Sequence, residues 1–189
     1  MKNLAAIIID MQEDFLKDIS DDRKTLLIDS QLMMIDYFNE NNVPVFTCEY
    51  GRSCTIEKIK KRLPDFEKNN FKKNESSCFS SQSLVKRLNK LNTKNIFFLG
   101  IYGNLCIPSS MSYASSQYDA YTSDDVITCK DIVHKYNPTT NGRKSLLMYT
   151  ASLYSNVFNK ARIHYLENRN QFIELMNSGD KEKPGAGNN

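Results

Sequence analysis

Six consecutive apolar residues, Leu4-Ala5-Ala6-Ile7-Ile8-Ile9, run directly into Asp10. A strand with one wet face alternates polar and apolar residues, whereas an uninterrupted apolar strand is covered on both faces. Strands of that kind belong to parallel sheets enclosed by helices. The run is too short for the apolar stretch of a signal peptide, and far short of the roughly 20 residues of a spanning helix. No membrane partner is expected.

The rest of the chain alternates. Leu26, Leu27, Met33, Met34 and Tyr37 recur at helical spacing and predict an amphipathic helix over 24–40. A short strand follows at Val43–Cys48. Residues 51–75 read as a short helix, a loop with Pro64 and a third strand near Asn70–Lys73. Leu84, Leu88 and Leu91 predict a helix over 81–92, and Asn95–Tyr102 a strand. A helix over 106–118 carries Pro108 in its first turn, where proline is tolerated. Strands at Ala120–Ser123 and Ala161–Leu166 and helices at Ser145–Phe158 and Arg169–Met176 complete the series. This alternation predicts an α/β fold with a mainly parallel sheet and helices on both faces. A length of 189 residues suits one domain, read here as 1–179, with a flexible polar tail over 180–189.

Composition removes several functions. A net charge of +3 is too small to argue for nucleic acid. Five cysteines in a chain of this size point to free thiols and a cytoplasmic setting. The two histidines, His134 and His164, stand thirty residues apart, and no His-x-x-His or Cys-x-x-Cys spacing occurs. No metal and no cofactor are expected. A nucleotide-binding loop is absent too, since there is no Gly-x-Gly-x-x-Gly or Gly-Lys-Ser/Thr.

In an open parallel sheet, ligands bind outside the carboxyl ends of the strands. The first strand delivers Asp10 there, and the 95–102 strand leads to Cys106. The stretch before the 81–92 helix brings Lys73, Ser77, Cys78 and Phe79. Cys106 opens a helix, where backbone amides and the macrodipole stabilise a thiolate or an oxyanion. Neither histidine lies at a strand end, so the available base is Asp10. Taken singly, these residues also have ordinary readings: Asp10 as a turn residue, Cys106 as a buried thiol, Lys73 as a solvated lysine.

Three segments carry a resemblance. Ala5-Ala6-Ile7-Ile8-Ile9-Asp10-Met11-Gln12-Glu13-Asp14-Phe15 resembles the opening motif of the isochorismatase-like cysteine hydrolases. Lys73-Asn74-Glu75-Ser76-Ser77-Cys78-Phe79 is similar to that family's Lys-x-x-x-Ser-x-Phe segment. Gly100-Ile101-Tyr102-Gly103-Asn104-Leu105-Cys106-Ile107 resembles its Gly-x-x-x-Asn-x-Cys-Val segment. The three occur in the family's order, and the resemblance spans about 4–176. It implies a three-layer α/β/α, Rossmann-like fold with a six-stranded, mainly parallel sheet. It also implies a catalytic triad of Asp10, Lys73 and Cys106, and a cis peptide at Ile101–Tyr102 that aims the Tyr102 and Cys106 amides into an oxyanion hole. A small-molecule substrate and a homo-oligomer, dimer or tetramer, are implied as well.

Departures narrow the expectation. Metal-binding nicotinamidases of the family carry Asp-x-His-x-x-His after the second strand. The corresponding Thr47-Cys48-Glu49-Tyr50-Gly51-Arg52-Ser53 has no histidine. Isochorismatases acting on a vinyl ether lack the nucleophilic cysteine, which is present here. The implied activity is hydrolysis of a C–N bond in a small amide, N-carbamoyl or ureido compound through a Cys106 thioester. A metal-independent nicotinamidase-like enzyme and a catalytically silent binding protein of the same fold are the alternatives. The silent reading is motivated by Glu13 in place of the usual Asn, and by Tyr102-Gly103 in place of a small residue and Thr. Phe15, Phe79, Tyr102, Tyr50 and Arg52 are candidates for the substrate pocket, each with a core or solvent-facing alternative. Arg52 would offer a planar fork to a carboxylate.

Overall fold

The computed structural model describes residues 3–129 and 161–178. The expected helix at Ser145–Phe158, His134 and the 180–189 tail lie outside the described residues. The chain opens with β1 (Leu4–Ile9), a one-turn α1 (Glu13–Leu16) and the long α2 (Asp21–Glu40). Then come β2 (Val45–Tyr50), two further one-turn helices, α3 (Glu57–Lys60) and α4 (Phe66–Asn69), and β3 (Asn70–Lys73). Next are α5 (Gln82–Lys90), β4 (Asn95–Ile101), α6 (Cys106–Ala114) and β5 (Asp119–Ser123). The two-residue β6 (Ile127–Thr128), β7 (Ile163–Leu166) and α7 (Arg169–Ser178) complete the described elements.

Six strands form one path in the order β3-β2-β1-β4-β5-β7, and β6 pairs with β4 beside it. Every pairing among the described strands is parallel. All six residues of β1 are buried, as an uninterrupted apolar run requires. Phe97 and Phe98 of β4 show both faces covered. Successive strand residues point to opposite faces. Phe97 packs against Phe38 of α2 and Phe172 of α7, at ring distances of 5.6 and 4.3 Å. Phe98 meets Phe79, which stacks on Tyr113 of α6. Each fully buried Ile or Phe contributes roughly 1.5–3 kcal/mol, so this central pair of strands anchors the fold.

The helix over 24–40 is present, with its buried face turned from the expected one. Leu27, Ile28, Met34, Ile35 and Phe38 face the sheet, while Leu26 and Met33 are 65% and 56% exposed. Two adjacent apolar rows run along α2, and both satisfy helical periodicity. Asp21 and Asp22 in the first turn complement the helix dipole.

Two features shape the carboxyl end of the sheet. β4 pairs with β5 over Asn95–Phe97, then with β6 at Gly100 and Ile101. β5 thus leaves β4 before the site, and β6 takes its place. The glycine is required there: at Gly100 φ is +122°, and a Cβ would lie 2.0 Å from the Ile9 carbonyl oxygen. The close approach of β1 and β4 at Ile9–Gly100 sets the spacing of the loops that follow both strands.

Candidate active site

Asp10, Lys73 and Cys106, distant in sequence, meet at this sheet edge. Asp10 leaves β1 in a left-handed turn (φ 55°), a conformation that Asp adopts more readily than most residues. Its N–H donates to the Cys48 carbonyl at 3.0 Å, fixing the turn to β2. Lys73 ends β3, and its side chain is wholly buried. The ammonium lies 2.9 Å from Asp10 Oδ2 and 3.4 Å from Cys106 Sγ. It also donates to the carbonyls of Glu75 (3.1 Å) and Ser76 (3.2 Å). Cys106 is the first residue of α6 and is 8% exposed.

The peptide between Ile101 and Tyr102 is cis. Beyond it, Gly103 N–H donates to Thr128 of β6 at 2.8 Å, while Leu105 and Ile107 N–H donate to the Tyr102 carbonyl. The turn into α6 is thus tied both to itself and to β6.

Burial dominates the electrostatics. It raises the Asp10 carboxyl above the ordinary carboxylate range, more than Lys73 beside it lowers it. Burial pulls Lys73 down, but the Asp10 carboxylate and Cys106 outweigh it, and its net shift is upward. The Cys106 thiol is pushed up to about 11, first by burial and then by Asp10, against the pull of Lys73. This direction is opposite to the one expected from a helix N-terminus alone. The loss of solvent and the Asp10 carboxylate push the thiol toward its protonated form. Asp10 Oδ1 is buried and has no hydrogen-bond partner among the described residues.

The pocket candidates separate. Tyr102 is buried, packs edge-on against Phe15 at 6.1 Å, and donates its hydroxyl to the Phe15 carbonyl at 2.8 Å and to Asp18 at 3.3 Å. Its bulk is thus turned toward α1. Tyr50 places its ring 5.1 Å from the Lys73 ammonium and is 45% exposed. Phe79 is drawn into the layer beneath α6, stacked on Tyr113 and Tyr118. Arg52 is exposed on the loop after β2. Beside the triad runs an open groove of about 510 Å³ lined by Ser76, Ser77, Leu105, Ser109 and Tyr113 among others.

Two residues carry more than the sequence disclosed. Glu49, near the end of β2, is wholly buried. It accepts from Thr55 N–H at 2.6 Å and Asn70 at 3.1 Å, and pairs with Lys72 at 2.7 Å. Gln12 is wholly buried and binds the loop after β2. A polar residue inside a motif, two positions past the strand-end acid, was the only signal for it. Remote from the triad, His164 stacks on Tyr121 and faces Asp119. Among the described residues, no group of three His, Cys, Asp or Glu side chains could hold a metal ion. No helix among them is long and apolar enough to cross a membrane.

A parallel α/β sheet with an acid, an amine and a thiol at its carboxyl edge defines an isochorismatase-like architecture. The isochorismatase-domain family model matches residues 5–125, and the chain belongs to that family. Among solved structures, a cysteine hydrolase from Pseudomonas syringae pv. phaseolicola aligns at a TM-score of 0.70 and 13% identity, covering 93% of each chain. The nicotinamidase SaPncA from Staphylococcus aureus aligns at 0.66 and 15% identity, covering 88% of this chain and 98% of its own. N-carbamoylsarcosine amidase from Thermoplasma acidophilum aligns at 0.61 and 14%, covering 87% and 96%. No curated protein matches the chain.

Proposed function

We propose that this chain is a cysteine hydrolase that cleaves the C–N bond of a small amide, N-carbamoyl or ureido compound. The observation that carries the reading is the Lys73 ammonium placed between Asp10 Oδ2 and Cys106 Sγ. Membership in a hydrolase family supports it. So does the likeness of fold to a nicotinamidase and an N-carbamoylsarcosine amidase.

The reaction divides into two halves. Asp10 takes the thiol proton as the sulfur attacks the carbonyl carbon, so no free thiolate has to persist. Lys73 stays charged and offsets the anion forming beside it. The oxyanion is received by the Tyr102 and Cys106 amides at the head of α6. The tetrahedral intermediate collapses, the C–N bond breaks, and the amine leaves with the proton held by Asp10. Water then adds to the thioester carbonyl with Asp10 as base, the C–S bond breaks, and the thiol regains a proton. Phe15 and Tyr102 wall the side of the site toward α1. A homo-oligomeric state, dimer or tetramer, belongs to the same reading.

A panel of small amides, N-carbamoyl amino acids, ureido acids and nicotinamide tests the reading by ammonia release. Turnover of at least one class, lost in Cys106→Ser, is the expected result. Turnover that survives the substitution would remove the thiol from the mechanism.

A further inference from the structure

The loop after β2 is held by a residue the mechanism above does not use. Gln12 is buried to 0% exposure. Its Nε2 donates to the carbonyls of Tyr50 (2.9 Å) and Ser53 (2.6 Å) and to Ser53 Oγ (2.9 Å). Its Oε1 accepts from Tyr50 N–H at 2.9 Å. One side chain thus satisfies both backbone groups of Tyr50. The main chain adds to the grip: Gln12 bridges Thr55, and Ile56 N–H donates to Met11. From the other side, Glu49 accepts from Thr55 N–H. The loop is therefore fastened at both ends to the turn that also carries Asp10.

The result of that fastening is a ring over a cation. The Tyr50 ring centroid is 5.1 Å from Lys73 Nζ, and the same ammonium contacts Asp10 and Cys106. An aromatic face at this distance attracts an ammonium through its quadrupole. It also keeps water off a charge whose value to the site depends on a low local dielectric. Tyr50 is 45% exposed, while the Lys73 side chain beneath its ring is wholly buried.

We infer that Gln12 and Tyr50 act as one positioning unit, in which Gln12 fixes the loop after β2 so that the Tyr50 ring seals the Lys73 ammonium against Asp10 and Cys106. The Gln12 side chain contacts only the loop, while Tyr50 meets the triad through its ring over Lys73 and its backbone N–H toward Asp10. Tyr50 is then part of the triad's support rather than a contact for substrate. This inference rests on the proposed hydrolase for its kinetic consequence, and on geometry alone for the clamp.

The chain contains no tryptophan. A Tyr50→Trp protein therefore carries a single fluorescent reporter, and tryptophan is the best aromatic partner for a cation. Adding Gln12→Ala should lower the steady-state anisotropy and move the emission to longer wavelength, as the loop loosens and the ring meets water. Gln12→Glu serves in its place if the alanine variant fails to fold by circular dichroism. It keeps an acceptor for Tyr50 N–H but loses the donor to two carbonyls. Unchanged anisotropy and emission would overturn the clamp.

The kinetic arm uses whichever panel compound the wild-type protein hydrolyses. Gln12→Glu and Tyr50→Leu should each lower kcat by tenfold to about 100-fold with KM unchanged, the loss that a misplacement of about 1 Å brings. Tyr50→Phe should recover most of what Tyr50→Leu loses, because the aromatic face returns. A rise in KM at unchanged kcat would instead make Tyr50 a substrate contact and overturn the positioning role. If the wild-type protein hydrolysed none of the panel, the hydrolase reading would fall, while the fluorescence would still decide the clamp.

Discussion

Asp10 meets Lys73 with only one of its two carboxylate oxygens. Oδ2 lies 2.9 Å from the ammonium, and Oδ1 is buried without a hydrogen-bond partner among the described residues. In the proposed chemistry it is the acceptor that waits for the thiol proton.

Removing that carboxylate should separate thiol reactivity from turnover. In Asp10→Asn the charge that raises the Cys106 thiol is gone, and the Lys73 ammonium remains. The thiol pKa should therefore fall, and alkylation by iodoacetamide at pH 8 should quicken, roughly threefold for each unit of fall because a less basic thiolate is also less nucleophilic. Hydrolysis should drop by roughly 10²–10⁴-fold, because the general base is lost. Asn tolerates the left-handed backbone at this position, so the turn should persist. Parallel loss of both reactivity and turnover would contradict the assignment of Asp10 as base.

The pH dependence of alkylation follows from the same balance. A thiol pushed up to about 11 holds its proton at neutral pH. In a Cys54→Ser background, which removes the exposed thiol, the rate at Cys106 should climb about tenfold per pH unit from 7 to 10 without levelling. A plateau near pH 7 would show a resting thiolate instead.

Glu49 should make the fold sensitive to acid. Hydrogen bonds from Lys72, Thr55 and Asn70 hold its carboxyl below its ordinary value of 4.5, in spite of burial. A carboxylate with a lowered folded-state pKa adds stability above the unfolded value, and that stability is lost as pH falls through the folded one. The melting temperature should therefore drop as pH falls below about 4.5. In Glu49→Gln the drop over that window should be shallower, and stability at pH 7 lower by about 1–3 kcal/mol. Thermal melts of both proteins across pH 3–7 read the difference, and parallel curves would contradict the role.

Gly100→Ala should be among the most damaging substitutions in the chain. The new Cβ would meet the Ile9 carbonyl oxygen at 2.0 Å, and φ at this position lies in the range that favours glycine. Overpacking and backbone strain together should remove roughly 2–6 kcal/mol. Denaturant unfolding measures it, and a loss below about 1 kcal/mol would mean that β1 and β4 can separate at the site without consequence.

Much of this architecture was legible in the sequence. The apolar run of β1 announced a doubly covered strand, and three ordered segments placed Asp10, Lys73 and Cys106 together. Even the edge strand Asn70–Lys73 was visible within a polar stretch. What escaped depended on contacts between distant residues. The rotation of α2 was hidden because two neighbouring apolar rows fit one period, and only the sheet chooses between them. Phe79 resembled a pocket residue by its nearness to Lys73, yet Tyr113 and Tyr118 draw its ring into a stack. Gln12 could not be singled out, since its partners lie about forty residues away. The raised Cys106 thiol likewise came from burial beside Asp10, which the position at a helix start did not convey.

The most direct test of the central claim compares ammonia release by the wild-type and Cys106→Ser proteins on the amide, carbamoyl, ureido and nicotinamide panel. The account predicts turnover of at least one class by the wild type, a loss of several orders of magnitude in the variant, and a substrate-derived acyl mass on Cys106 during turnover. Equal ammonia release by the two proteins would contradict it.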